Sequence, residues 1–372
     1  MPVKIRRLTN KILLACNIIV VVFFLLACLA PYLNPRQYWY ISLLGLGFAV
    51  FFALVILMFF LWLILKPKYA LISAVALMIG WKSISVFIAF NKPVPFKDEK
   101  QKGDIRIVTW NVARFIELSK NNNRGSQTRI KMMDLLKQQN ADILCLEEFQ
   151  TSTDPRYYDN IRFIQKNLNY PYYYFSFDED GSRLYYSSII FSRFPIIDTG
   201  VVYYPRPTIS EALIHADIKH QNDTFRVYAT HLQSVQFQKT DYKKFDEITS
   251  RKDSILENSK TIFYKLRTGI YYRSIQADIV NQLLQNCPYP VLFCGDLNDV
   301  PNSYTYFKIR QDMQDAFLKK GFGIGRTFSA LSPTLRIDYI FASNDFTIRQ
   351  YDRLVRNYSD HYMLVADVKL IK

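Results

Sequence analysis

Several short stretches of this 372-residue chain close an apolar run with polar side chains that an ordinary turn does not need. IVTWN ends at Asn111, and DILCLEE ends at Glu147 and Glu148. YATHLQ carries His231, VLFCGDLND carries Asp296, Asn298 and Asp299, RIDY carries Asp338, and YSDH carries Asp360 and His361. Each has an ordinary reading when taken alone: Asn111 as a turn residue, Asp296 and Asn298 as an Asx-turn pair, His231 as a hydrogen-bonded core imidazole, Asp360 as a cap. Together they form a set of oxygen donors with two imidazoles. Carboxylate and amide oxygens suit Mg²⁺ or Mn²⁺, whereas Zn²⁺ calls for cysteine or a tight histidine cluster. Such a set fits phosphoester hydrolysis, in which charge on the phosphoryl oxygens is neutralised, a water is placed in line with the leaving oxygen, and one carboxylate handles the proton.

The motifs TWN, LEE, THLQ, GDLND, RIDYIF and SDH, in that order, resemble the endonuclease/exonuclease/phosphatase superfamily. That group includes DNase I-like nucleases, abasic-site endonucleases, neutral sphingomyelinases and inositol polyphosphate phosphatases. The resemblance runs from Asp104 to the C-terminus. It implies a four-layered α/β sandwich, DNase I-like, with two β-sheets packed face to face and helices outside. It also implies roles. Glu148 is the principal metal ligand, and Asn111 and Asp360 complete the metal's surroundings. Glu147 stands where the family has glutamine and supports the site from behind. Asp296 orients or deprotonates the attacking water, while Asn298 holds that water and a phosphoryl oxygen. His361 donates to the phosphate with Asp338 fixing its tautomer, and His231 is a second donor. One departure is that Ser187-Ser188-Ile189 stand where the family often has Gly-Asn-Ala, so a substrate-contacting asparagine is missing. Arg193 at the end of that strand is a candidate phosphate contact or a structural residue.

These groups need a scaffold, and the sequence from Asp104 onward provides alternating signals. IRIVTW, ADILCL, SSIIFS, FRVYATHL, YPVLFCGDL, RIDYIFAS and HYMLVADVKL read as strands. Thr128–Gln139 repeats apolar residues at helical spacing and stops at Asn140; Arg273–Gln285 has the same pattern and stops before Cys287-Pro288. Residues 237–272 are polar and charge-rich with scattered aromatics, which predicts a helical insertion. Residues 91–103, with two prolines and a charge run, predict a linker. Residues 104–372 then form the catalytic domain.

Three apolar runs precede the linker, at 12–33, 40–65 and 69–90, each reaching the ~20 residues that span a ~30 Å hydrocarbon core. The first two contain no acidic or basic residue; the third contains Lys82. Residues 1–90 therefore predict a membrane region with three transmembrane helices. Lys4, Arg6, Arg7 and Lys11 precede the first run, and Lys66 and Lys68 separate the second from the third, which by the positive-inside rule places both in the cytoplasm. The catalytic domain then lies on the outer face, periplasmic or extracellular, of the inner or plasma membrane of a bacterium-like cell.

The formal net charge is +15. Residues 1–100 carry eleven basic and two acidic side chains, an excess of +9, while the remaining 36 basic and 30 acidic side chains leave +6. Most of the excess thus belongs to the membrane region rather than to recognition of a polyanion. The domain's +6 and the aromatic run Tyr170–Phe175 are compatible with nucleic acid; the tether and THLQ are compatible with a phospholipid or phosphoinositide. A catalytically silent membrane-tethered binding protein would be expected to have lost part of the site, and all of it is present. No obligate protein partner is evident. The cysteines, Cys16, Cys28, Cys145, Cys287 and Cys294, form no disulfide-framework pattern.

Overall fold

The computed structural model describes residues 3–121, 124, 126–181, 183–205, 212–235 and 255–371. The part of the 237–272 insertion before residue 255 lies outside them. In chain order the described helices are α1 (Val3–Cys28), α2 (Pro35–Leu46), α3 (Phe48–Leu65), α4 (Pro67–Ile79), α5 (Trp81–Phe87), α6 (Thr128–Gln139), α7 (Asn160–Leu168), α8 (Ile255–Gln285), α9 (Tyr304–Arg310) and α10 (Ala316–Lys320). The strands are β1 (Ala89–Phe90), β2 (Ile105–Asn111), β3 (Ile143–Ser152), β4 (Tyr172–Phe175), β5 (Leu184–Ser192), β6 (Ile196–Tyr203), β7 (Ala212–His220), β8 (Asp223–His231), β9 (Val291–Asp296), β10 (Gln314–Asp315), β11 (Phe322–Gly323), β12 (Asp338–Ala342), β13 (Phe346–Leu354) and β14 (Met363–Leu370).

Two compact units divide the chain. A helical unit takes Met1–Phe87, Ser234–Ala277 and Asp299–Lys308; a sheet unit takes Ile88–Gln233, Asp278–Asn298 and Ile309–Lys372. In the helical unit, Arg6–Cys28 and Phe48–Leu65 are long and apolar enough to cross a membrane. The second apolar run is divided: Gly47 closes α2 with its N–H on the Leu43 carbonyl, and α3 starts at Phe48. The third is divided as well, α4 and α5 meeting at a 66° bend, so that together they make a third span if the pair crosses as one. Lys82 lies just past that bend, its ammonium 5.2 Å from the Tyr32 ring centre, a cation–π contact that offsets part of the cost of a charge in this run. Inside the bundle Ser73 donates to Asn17 Oδ1 at 2.9 Å, the kind of interhelical polar contact used where no water is available.

The sheet unit holds two six-stranded sheets, ordered β13-β14-β2-β3-β5-β4 and β10-β12-β9-β8-β7-β6. Strand alternation sets the layers. In β3, Ile143 and Cys145 join the core between the sheets, with Ile107, Ile214, Ala229, Leu292 and Ile340, while Leu144 and Leu146 face outward. There they meet Met132 and Leu136 of α6 and Ile161 and Ile164 of α7. Each such buried aliphatic contributes roughly 1.5–3 kcal/mol. The result is the sandwich with outer helices that the motifs implied.

α6 has the expected bounds, and Asn140 ends it in the left-handed region at φ 47°. The helix expected at 273–285 is the last part of α8, which begins at Ile255 and so also makes the described part of the insertion helical. The strands β4, β6, β7 and β13 were not among those the sequence marked. β4 falls on the aromatic run, whose ends Tyr170 and Phe175 are buried and pack on Phe191 and Phe149, while Tyr172 is exposed and Tyr173 and Tyr174 are half-buried.

Candidate active site

Strand register assembles the site before any side-chain contact is considered. Asp296, the last residue of β9, pairs with His231 on parallel β8 and with Asp338 on antiparallel β12. In the other sheet, Asn111 at the end of β2 pairs with Glu147 of β3. Asn111 joins the two: its amide donates to Asp296 Oδ2 at 3.1 Å and to Glu148 Oε1 at 3.2 Å, and its own oxygen accepts from the Ala113 N–H. The glycine of the GDLND motif is required by close approach. A Cβ on Gly295 would stand 2.2 Å from the Thr230 carbonyl oxygen on β8.

The adjacent acids differ because β3 is bulged between Leu146 and Phe149. Glu148 takes φ 48°, a left-handed conformation that costs a non-glycine residue about 1–2 kcal/mol and re-aims its side chain. That side chain remains partly accessible. Glu147 is fully buried and accepts from Thr109 Oγ1 at 2.7 Å. Burial, with the neighbouring charges of Asp338 and Asp296, holds its carboxyl well above the usual range, against the Thr109 hydrogen bond. Asn298 also sits in the left-handed region, at φ 50°, and its N–H donates to Asp296 Oδ1 at 2.8 Å.

His361 is buried, with Nδ1 3.0 Å from both oxygens of Asp338 and Nε2 3.6 Å from Asp296 Oδ2. Burial pushes its imidazole down, but the charges of Asp338 and Asp296 and the hydrogen bond to Asp338 outweigh it and hold the pKa well above 6.5. Burial raises Asp338 from 3.8 to about 6 despite the opposing His361 charge. Within the pair, each partner's charge opposes the effect of burial on the other. Asp296, Asp338 and His361 place ligand-type atoms within 4.8 Å of one another. His231 Nε2 is 3.6 Å from Asp296 Oδ2, 3.8 Å from Glu148 Oε1 and 3.0 Å from the Asn298 amide nitrogen, which also donates to the Leu232 carbonyl.

Asp360 is exposed beside His361, accepts from Ser359 Oγ, and its charge adds to the raising of His361. Arg193 is not part of this group. It follows the end of β5 that pairs with Ile143, at the start of β3, and binds Asn140 Oδ1 with its guanidinium over the Tyr170 ring. Four other side chains support the site. Thr327 Oγ1 accepts from the Ile337 and Asp338 N–H groups, Trp110 Nε1 donates to the His361 carbonyl, Ser359 Oγ to the Asn111 carbonyl, and the Phe328 ring lies 4.9 Å from that of His361. Trp110 and Ser359 lie within the TWN and SDH motifs, while only spatial pairing identifies Thr327 and Phe328.

The family model described as Endonuclease/Exonuclease/phosphatase family matches residues 108–361, and a second, described as a domain of unknown function, matches residues 10–87. No curated protein matches the chain. An endonuclease/exonuclease/phosphatase from Beutenbergia cavernae is similar over 73% of this chain and 72% of its own, at 19% identity and a TM-score of 0.51. The human Nocturnin catalytic domain with bound sulfate anion is similar over 73% and 94%, at 16% identity and a TM-score of 0.50. At these identities the likeness is one of fold.

Proposed function

Because the chain belongs to the endonuclease/exonuclease/phosphatase family, we propose that it is a membrane-anchored hydrolase of phosphoric esters, dependent on Mg²⁺ or Mn²⁺, in which Asp296 activates water. The observation that carries this reading is the convergence of Asn111 and Glu148 from one sheet with His231, Asp296 and Asp338 from the other.

The donor set fits a divalent cation. Glu148 and Asp296 share Asn111 and both face His231, and Asp296 and Asp338 lie beside His361, so carboxylates gather around two imidazoles, an arrangement that favours a cation. Glu148, Asn111 and Asp360 would hold the ion, with Glu147 behind them. When bound, it supplies positive charge to the phosphoryl oxygens. Asp296, held at Oδ1 by the Asn298 N–H and at Oδ2 by Asn111, orients the water and takes its proton. Asn298 positions that water beside a phosphoryl oxygen. His361, kept protonated and turned by Asp338, offers Nε2–H to the phosphoryl group. His231 is a second donor to the phosphoryl group, its Nε2 3.6 Å from Asp296 Oδ2 and 3.8 Å from Glu148 Oε1. Arg193 has no place in this mechanism.

The apolar helices support anchoring, and the flanking lysines and arginines support a cytoplasmic N-terminus with the catalytic domain, within residues 104–372, on the outer face. A reporter that is active only in the cytoplasm, fused at Lys372, is expected to be silent; an active fusion contradicts that orientation.

The hydrolase reading is tested by metal removal. The full-length chain in detergent is expected to cleave a soluble chromogenic phosphodiester, to lose this on EDTA treatment, and to regain it with Mg²⁺ or Mn²⁺. Undiminished turnover in EDTA contradicts it.

A further inference from the structure

Resting on the hydrolase reading above, we propose that the substrate is a phosphoester of the membrane that anchors the chain, a lipid phosphate in the head-group layer. Asp299–Lys308 belongs to the helical unit although one peptide bond separates it from Asn298. Asn302 is buried there, and its Nδ2 donates at 2.9 Å to the carbonyl of Ala27, in the last turn of α1. Its own carbonyl lies where a Cβ on Gly45 would come within 3.0 Å. The Phe307 ring is 6.3 Å from that of Tyr32, and the Lys82 ammonium lies over both. Asp299 accepts from Thr305 Oγ1 at 2.7 Å and faces Arg273 Nε at 3.4 Å. The segment is thus built into one end of the apolar helices.

That end carries the marks of a membrane–water interface, where aromatic side chains and basic residues gather. Tyr32, Tyr38 and Tyr40 are exposed there, and Trp39 packs edge-on against Phe263 of α8 with the Arg267 guanidinium over its ring. Tyr264 and Tyr271 of the same helix are 69% and 42% exposed. Asn302 follows Asn298 by four residues, so the chain allows at most about 14 Å between them. A head-group layer is about 5–8 Å deep on each side of the hydrocarbon core. The chain that leaves Asn298 is thus anchored, four residues on, at the end of the apolar helices where such a layer would lie.

The test uses the full-length protein reconstituted with Mg²⁺ in phosphatidylcholine vesicles containing labelled phosphatidylglycerol, phosphatidic acid and sphingomyelin. A soluble chromogenic phosphodiester and a single-stranded oligonucleotide are assayed alongside. The expected result is release of phosphate or head group from lipid in the same vesicles, and not from labelled vesicles that lack the protein. Combining Asn302→Ala with Phe307→Ala is expected to lower lipid turnover about tenfold or more, as loss of positioning does, with the soluble diester little changed. Cleavage of the soluble diester or oligonucleotide with all three lipids intact overturns this proposal and leaves the hydrolase reading standing. Equal lipid cleavage in separate vesicles overturns it too. The wild-type comparisons decide the matter even if the double variant does not fold. Failure to cleave any of these substrates contradicts the hydrolase reading itself.

Discussion

Glu147 and Glu148 are neighbours that the fold turns into opposites. The bulge leaves Glu148 accessible to a cation and seals Glu147 in the interior with its carboxyl raised well above 4.5. A buried acid whose folded pKa exceeds its unfolded value keeps its proton while the unfolded chain releases it. Stability from this group therefore falls as pH rises from about 4.5. Glu147→Gln removes that loss. Measured by thermal unfolding in EDTA, the variant's melting temperature is expected to gain on the wild type as pH rises from 4.5 to 7; a constant difference contradicts the assignment. Asp338 is a positioning residue, acting through His361. Asp338→Asn removes the charge that opposes burial, so the His361 pKa drops. The alkaline limb of the rate profile should move to lower pH, with kcat reduced about 10²–10⁴-fold, the worth of general acid–base help. An unshifted limb would mean that His361 is not the titrating group.

At the level of elements, the site depends on three neighbouring strands sharing a register. β8, β9 and β12 carry His231, Asp296 and Asp338 side by side only because β9 approaches β8 closely at Gly295. Gly295→Ala puts a Cβ 2.2 Å from a backbone oxygen that cannot rotate away. A cost of about 1–3 kcal/mol or more follows from overpacking of this kind, read as a lower denaturant midpoint with activity lost in the folded fraction. Wild-type stability and activity in this variant would contradict the close approach. The residues that end the strands were legible in the sequence, since a polar group closing an apolar run is a local signal. The bulge at Glu148 was not, nor was Thr327, which reaches Asp338 across a loop through two backbone N–H groups. The strands β6 and β13 escaped notice because they run along sheet edges, where one face stays polar; β7 is mostly buried, but His215, Asp217 and Lys219 interrupt its apolar residues.

For the whole molecule, the most informative division was not collinear with the sequence. The catalytic stretch reads as continuous from Asp104 to the C-terminus, yet Asp299–Lys308 and the described residues within 234–277 group with the apolar helices. No local pattern announces this: Asn302 looks like a turn residue until its amide is found on the Ala27 carbonyl. The +15 charge similarly takes its meaning from position, most of the excess lying with the apolar helices. The account as a whole rests on one site, built from the ends of two sheets, hydrolysing a phosphoester. Its most direct test compares the full-length wild type with Asp296→Asn, in one detergent and with Mg²⁺ at saturation, on a soluble phosphodiester. The variant is expected to bind divalent ion and unfold like the wild type while kcat falls about 10²–10⁴-fold. Turnover within a few-fold of the wild type would contradict the account.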